Sequence, residues 1–212
     1  MDKAKIQNIR KDYSKKELSL DRTAAEPVEQ FRTWFQEALD GDVDEPNAMT
    51  LSTATKDGIP SSRVVLLKGI DSGFVFYTNY KSRKGSQLLE NPHASLNFFW
   101  PQLERQVRVE GVVEKVSAEE SDEYFNSRPF KSRIGAHASP QSQKIEKREI
   151  IQNIATELLK RFVSHVPRPE HWGGYRLAPN YIEFWQGRPS RLHDRICYEL
   201  VNNRWDKYRI AP

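Results

Sequence analysis

Four short clusters hold most of the side chains that could do chemistry. The first is Arg63-Val64-Val65-Leu66-Leu67-Lys68, an apolar run with a cation at each end. On a continuous strand side chains alternate, so Arg63 and Lys68 point to opposite faces. Taken by itself, the run reads first as a barrel wall with a charge at each end. The second, Lys81-Ser82-Arg83-Lys84, stands at the start of a predicted helix. Free backbone N–H groups and the helix dipole favour an anion there, and the added cations would make a phosphate seat. A solvated helix start fits the same residues. The third runs from Tyr124 through Arg128 to Ser132. Tyr124 and Arg128, four apart, share one helix face, with Ser132 in a following loop beside Lys131 and Arg133. A phenol, a guanidinium and a hydroxyl can all donate to phosphate oxygens, the guanidinium bidentately. Alone, the cluster also reads as the end of a surface helix. The fourth is Arg191-Leu192-His193-Asp194-Arg195. Read as a strand, it puts Arg191, His193 and Arg195 on one face, a row of cations that suits an anionic or electron-rich ligand. His193 adds a group able to change protonation near neutral pH. A solvent-facing strand remains the alternative.

Other constellations are missing from the sequence. The single cysteine, Cys197, excludes an intrachain disulfide and a cysteine metal site, and agrees with a reducing cytoplasm. The five histidines lack metal-ligand spacing, and no dinucleotide fingerprint, P-loop or nucleophile elbow occurs. The 212 residues carry a net charge of +4, but the basic residues come in short groups with no long like-charge block. That distribution favours phosphorylated small molecules over nucleic acid. No apolar run reaches the length of a membrane span, and the polar first residues are unlike a secretory signal.

The elements that must position these clusters follow from periodicity. Residues 1–25 read as a mobile, partly helical arm, and 26–212 as one domain. Val28, Phe31, Trp34, Phe35 and Leu39 fall at helical spacing between Pro27 and Gly41. Strands are expected at 48–55, 61–70 and 74–79, a helix at 82–90, and strands at 94–100 and 104–116. Ser117 and Glu120 form a capping box for a helix to about Ser127, and a second helix is expected from Ser142 to Phe162. Strands at 175–178, 181–187, 191–200 and 204–210 close the chain. Strands outnumber helices and the hairpins are short, which predicts a mainly β, α+β fold: a β-barrel with helices packed around it.

Taken in order, RVVLLK, FYTN-x-x-SRK, ERQVRVEG, YFNSRP-x-x-S-x-IGA, QS, WGG, IEFWQG-x-x-x-RLHDR and the terminal RIAP resemble the pyridoxine/pyridoxamine 5'-phosphate oxidase family from about Ile9 to Pro212. The resemblance implies a split β-barrel and a homodimer with FMN at the subunit interface. It implies oxidation of pyridoxamine and pyridoxine 5'-phosphates to pyridoxal 5'-phosphate, with O2 as acceptor. A non-catalytic carrier of FMN or pyridoxal phosphate with the same fold is the alternative. The implied FMN contacts are Arg63 to Lys68 (with Val64, Val65, Leu66 and Leu67), Tyr77, Thr78, Arg83 and Lys84. Gln106, Gln141, Ser142, Trp185 and Arg195 complete that set. The substrate phosphate would rest on Lys68, Tyr124, Arg128 and Ser132, with Arg191 and His193 against the ring. Arg10 and Tyr13 match family residues that close over the substrate. The chain departs from the family at His137, where an aromatic residue is frequent, and at Pro140.

Overall fold

The computed structural model describes residues 2–9 and 12–212; Arg10 lies outside the described residues. Nine strands and six α-helices are present among them. The helices are α1 (Lys3–Gln7), α2 (Pro27–Asp40), α3 (Arg83–Glu90), α4 (Ala118–Ser127), α5 (Phe130–Ala138) and α6 (Arg148–Arg161). The strands are β1 (Ala48–Ala54), β2 (Pro60–Leu66), β3 (Gly69–Ile70), β4 (Phe74–Asn79) and β5 (His93–Trp100), followed by β6 (Arg105–Lys115), β7 (Trp172–Gln186), β8 (Asp194–Val201) and β9 (Arg204–Arg209). The sheet order is β2-β1-β5-β6-β7-β4-β3, with β8 pairing β7 and β9 pairing β8. The fold is of the mainly β, split-barrel type.

Two compact units divide the chain. One comprises Met1–Ala48, Asn97–Val109 and Asn180–Pro212; the other Met49–Leu96 and Glu110–Pro179. In the first, α2 starts with Pro27 in its first turn, where the missing N–H costs nothing, and buries Phe31, Trp34 and Ala38. Phe31 meets Phe98 at 5.0 Å between centroids and Trp34 meets Phe184 at 5.2 Å. Each such side chain contributes about 1.5–3 kcal/mol on burial. The arm runs along this unit. Ser14 and Lys15 donate their N–H groups to the Glu104 carboxylate at 2.8 and 3.0 Å, and Leu18 N–H donates to Asp194 at 3.1 Å.

In the second unit, Phe125, Ile134, Val166 and Trp172 form a buried cluster under α4, α5 and α6. Ser117 caps α4 by accepting from Glu120 N–H at 3.1 Å. Only half of the expected box forms, because the Glu120 carboxylate turns to Arg176 at 3.1 Å.

Three expectations are corrected. The strand at 61–70 breaks after Leu66, since Lys68 N–H leaves the ladder register to donate to Val75 O at 2.8 Å. The helix expected from Ser142 starts at Arg148, because Ser142 has a left-handed backbone (φ 70°) that an α-helix does not admit. Ser132, expected in a loop, sits in the first turn of α5, which follows Pro129.

Candidate active site

The second unit contains a cavity of about 510 Å³ lined by Arg63 to Leu66, Lys68, Tyr77, Thr78, Asn79, Lys84, Tyr124, Arg128, Gln141 and Trp172. The break after Leu66 brings Arg63 and Lys68 to the same cavity, where a continuous strand would have opposed them. Arg63 is held from below: its guanidinium donates to Leu51 O at 3.1 Å, Thr53 Oγ1 at 2.6 Å and Ser61 Oγ at 2.5 Å. Lys84 is buried and donates to Gln141 Oε1 at 2.8 Å, Thr78 Oγ1 at 3.2 Å and Ser82 Oγ at 3.3 Å. Burial, with Arg63 nearby, lowers its pKa to about 8. Burial likewise lowers the Arg128 pKa.

Two features of this lining point to a ligand. Its charged residues are Arg63, Lys68, Lys84 and Arg128, with no carboxylate among them. Arg128 Nη1 is buried without a hydrogen-bond partner, which is costly for a cationic donor unless a ligand oxygen meets it. The Arg128 guanidinium lies 4.6 Å over the Trp172 ring. Tyr77 stacks on Tyr124 at 4.0 Å and on Trp172 at 5.6 Å, so the cations border an aromatic wall. A flat, phosphorylated ligand suits both parts of the lining.

The first unit contains a cavity of about 750 Å³ lined by Ile9, Asp12, Tyr13, Arg188, Ser190, Arg191 and His193. The cation row expected on a strand is not there: β8 begins only at Asp194, and Arg191 and His193 lie in the preceding loop. Ser190 and Arg191 take left-handed backbone, φ 55° and 62°, which breaks strand alternation. His193 packs 4.6 Å from Trp185 and 5.9 Å from Tyr13, and Tyr13 stands edge-on to Trp185 at 5.6 Å. Gly187 permits this approach, because a Cβ there would sit 2.6 Å from Tyr13 Cγ.

The remaining expected residues lie at neither lining. Arg83, the outward member of its pair, is exposed at the start of α3, and Leu67 is buried. Gln106 is half-buried on β6, while Ser132 and Ser142 are exposed. Arg195 is already engaged: it pairs with buried Glu183 at 2.7 and 3.0 Å and donates to Ala211 O at 3.0 Å. Conversely, Asn79, Trp172, Ile9, Asp12, Arg188 and Ser190 line cavities without having been singled out individually. Trp172 belongs to the WGG motif and Asp12 directly precedes Tyr13, whereas Arg188 and Ser190 occupy the unspecified gap before RLHDR. His137, one departure from the family, hydrogen-bonds Pro167 O at 2.7 Å.

The family model for pyridoxamine 5'-phosphate oxidase matches residues 35–161, and that for the pyridoxine 5'-phosphate oxidase C-terminal dimerisation region matches 172–212. The chain is 54% identical to a pyridoxine/pyridoxamine 5'-phosphate oxidase of Actinobacillus pleuropneumoniae serotype 3 (strain JL03), over 98% of this chain and 99% of that one. Among solved structures, PhzG from Burkholderia lata 383, in complex with tetrahydrophenazine-1-carboxylic acid, is similar with a TM-score of 0.87 and 36% identity, covering 91% of this chain and 95% of that one. A pyridoxamine 5'-phosphate oxidase-related, FMN binding protein from Nostoc punctiforme PCC 73102 shares the fold, with a TM-score of 0.72 and 15% identity over 90% of this chain and 100% of that one. The chain belongs to the pyridoxine/pyridoxamine 5'-phosphate oxidase family.

Proposed function

We propose that the protein is a cytoplasmic, homodimeric, FMN-dependent oxidase that converts pyridoxamine 5'-phosphate and pyridoxine 5'-phosphate to pyridoxal 5'-phosphate. The observation that carries this reading is the cation-lined cavity, with no carboxylate in its lining and with Arg128 Nη1 buried and unpartnered. Relatives named pyridoxine/pyridoxamine 5'-phosphate oxidase support the oxidase reading, and the match to a C-terminal dimerisation region supports the dimer; FMN would sit at the subunit interface.

FMN held here would supply a two-electron acceptor for the hydride that leaves C4' of the vitamer, with O2 as the final oxidant and H2O2 as its product. Arg63 and Lys84 from the cavity lining would hold the FMN phosphate, with the Arg83 charge nearby at the start of α3. Val64 to Leu67, Tyr77, Thr78, Gln106, Gln141, Ser142, Trp185 and Arg195 supply the further contacts. Lys68, Tyr124, Arg128 and Ser132 hold the substrate phosphate, which fixes the ring and turns binding energy into alignment. Arg191 and His193 orient the pyridine ring. Arg10 and Tyr13 close the arm over it and exclude water.

The test is an oxidase assay on FMN-loaded protein, following pyridoxal phosphate absorbance and peroxide together. Equal amounts of both are expected from either phosphorylated vitamer. A flavin-loaded protein that forms neither would leave a carrier role for the same fold.

A further inference from the structure

We propose that His193 is held as a neutral imidazole with its single proton on Nε2, so that it serves the substrate as a hydrogen-bond donor and not as a proton acceptor. The inference rests on the proposed placement of His193 against the substrate ring.

The geometry is local. Arg188 N–H donates to His193 Nδ1 at 3.1 Å. A nitrogen that accepts a hydrogen bond carries no proton, so the one proton of the neutral ring goes to Nε2. The loop between these residues is built to bring them together. Leu192 N–H closes on Pro189 O at 3.1 Å, and the left-handed Ser190 and Arg191 fold the chain back. The donor is also anchored. The Arg188 guanidinium donates to Lys16 O at 3.2 Å and Glu17 Oε1 at 2.7 Å, and lies 3.6 Å from Asp194. Trp185 on β7 and Tyr13 from the arm restrict the ring to this orientation.

The imidazolium form is opposed from several sides. A proton on Nδ1 would face the Arg188 N–H, donor against donor. The charged and titratable groups around the ring are Arg188 and Arg191 on its own loop, Asp12 and Tyr13 from the arm, and Asp194 at the start of β8. Asp194 is engaged elsewhere, with Arg209 at 2.5 Å and Leu18 N–H at 3.1 Å. Burial and the Arg191 charge both lower the histidine's pKa. Among the described residues Nε2 meets no hydrogen-bond partner, which leaves it available to an oxygen of the bound ring.

The tautomer can be read without turnover, from two-bond ¹H–¹⁵N correlations of ¹⁵N-histidine-labelled, FMN-loaded protein at neutral pH. His193 is assigned by the signal lost in His193→Gln. Nδ1 is expected at an unprotonated shift and Nε2 at a protonated one; a ring protonated at Nδ1, alone or together with Nε2, overturns the proposal. Kinetics then test the donor role. The amide nitrogen of His193→Gln reaches about as far as Nε2, and that of His193→Asn only as far as Nδ1. The Gln variant should therefore retain kcat/KM within about threefold, and the Asn variant should lose about tenfold. Equal losses in the two variants would reject the donor role. Because the wild-type oxidase assay is separate, failure of the proposed activity would show there while the tautomer result stood.

Discussion

The two cavities are built on different principles. The one lined by Arg63, Lys68, Lys84 and Arg128 draws its charged side chains from β2, the short link after it, α3 and the end of α4, and its lining charges are all of one sign. Its cations are braced by neutral acceptors such as Thr53, Thr78 and Gln141, which fix a position without cancelling a charge. The cavity lined by Tyr13, Arg191 and His193 is made of a loop and the arm, and there Asp12 stands with Arg188 and Arg191. Regular elements present fixed charge to an anion. A loop with left-handed residues can instead aim one ring nitrogen. Under the proposed function this difference becomes a division of labour, in which the first region would set how tightly a phosphorylated ligand is held and the second how its ring is addressed.

The most severe test of that division is Arg128→Ala. Removing a charge-assisted donor costs about 1.5–3 kcal/mol. KM for pyridoxamine 5'-phosphate should therefore rise roughly 10- to 150-fold while kcat stays within about threefold. A matching fall in kcat would break the division. Gly187→Val probes the other region. Its side chain would press into the Tyr13 ring, so kcat/KM should drop by about tenfold through lost closure. FMN affinity, measured by quenching of flavin fluorescence, should be unchanged. A smaller effect comes from pH. With the Lys84 pKa lowered to about 8, the residue carries its charge below that value and loses it above. FMN affinity should accordingly decline by about threefold as the pH is raised past about 8, because the other cations remain. Lys84→Met should flatten the decline, and an unaltered slope in that variant would place the titrating group elsewhere.

Much of this was legible in the sequence, and the failures have physical causes. Ser82 and Ser117 mark the starts of α3 and α4 because a hydroxyl before a helix satisfies a free N–H group. Alternation located β6, and turn residues beside short strand-forming runs located β1 and β4, for the same kind of local reason. The break after Leu66 was not legible, since it depends on Lys68 N–H finding Val75 O across a turn. Strand periodicity in RLHDR was misleading because nothing in those letters announces φ 55° at Ser190 and 62° at Arg191. Trp172 was hidden differently. It begins the 15-residue strand β7 and also stacks beneath Arg128, a partnership between residues 44 positions apart. Local patterns set the elements, and tertiary contacts decide which side chains meet.

The uncompensated charge of the first cavity reaches beyond catalysis. Like charges gathered round one cavity repel each other, so the empty chain folds against that repulsion and a bound anion relieves it. A ligand at one hundred times its Kd adds about 2.7 kcal/mol to resistance against unfolding. Since cells continually degrade unfolded chains, scarcity of the phosphorylated ligand would shorten the lifetime of the protein itself. Nutritional supply would then set how many copies persist as well as how many are occupied.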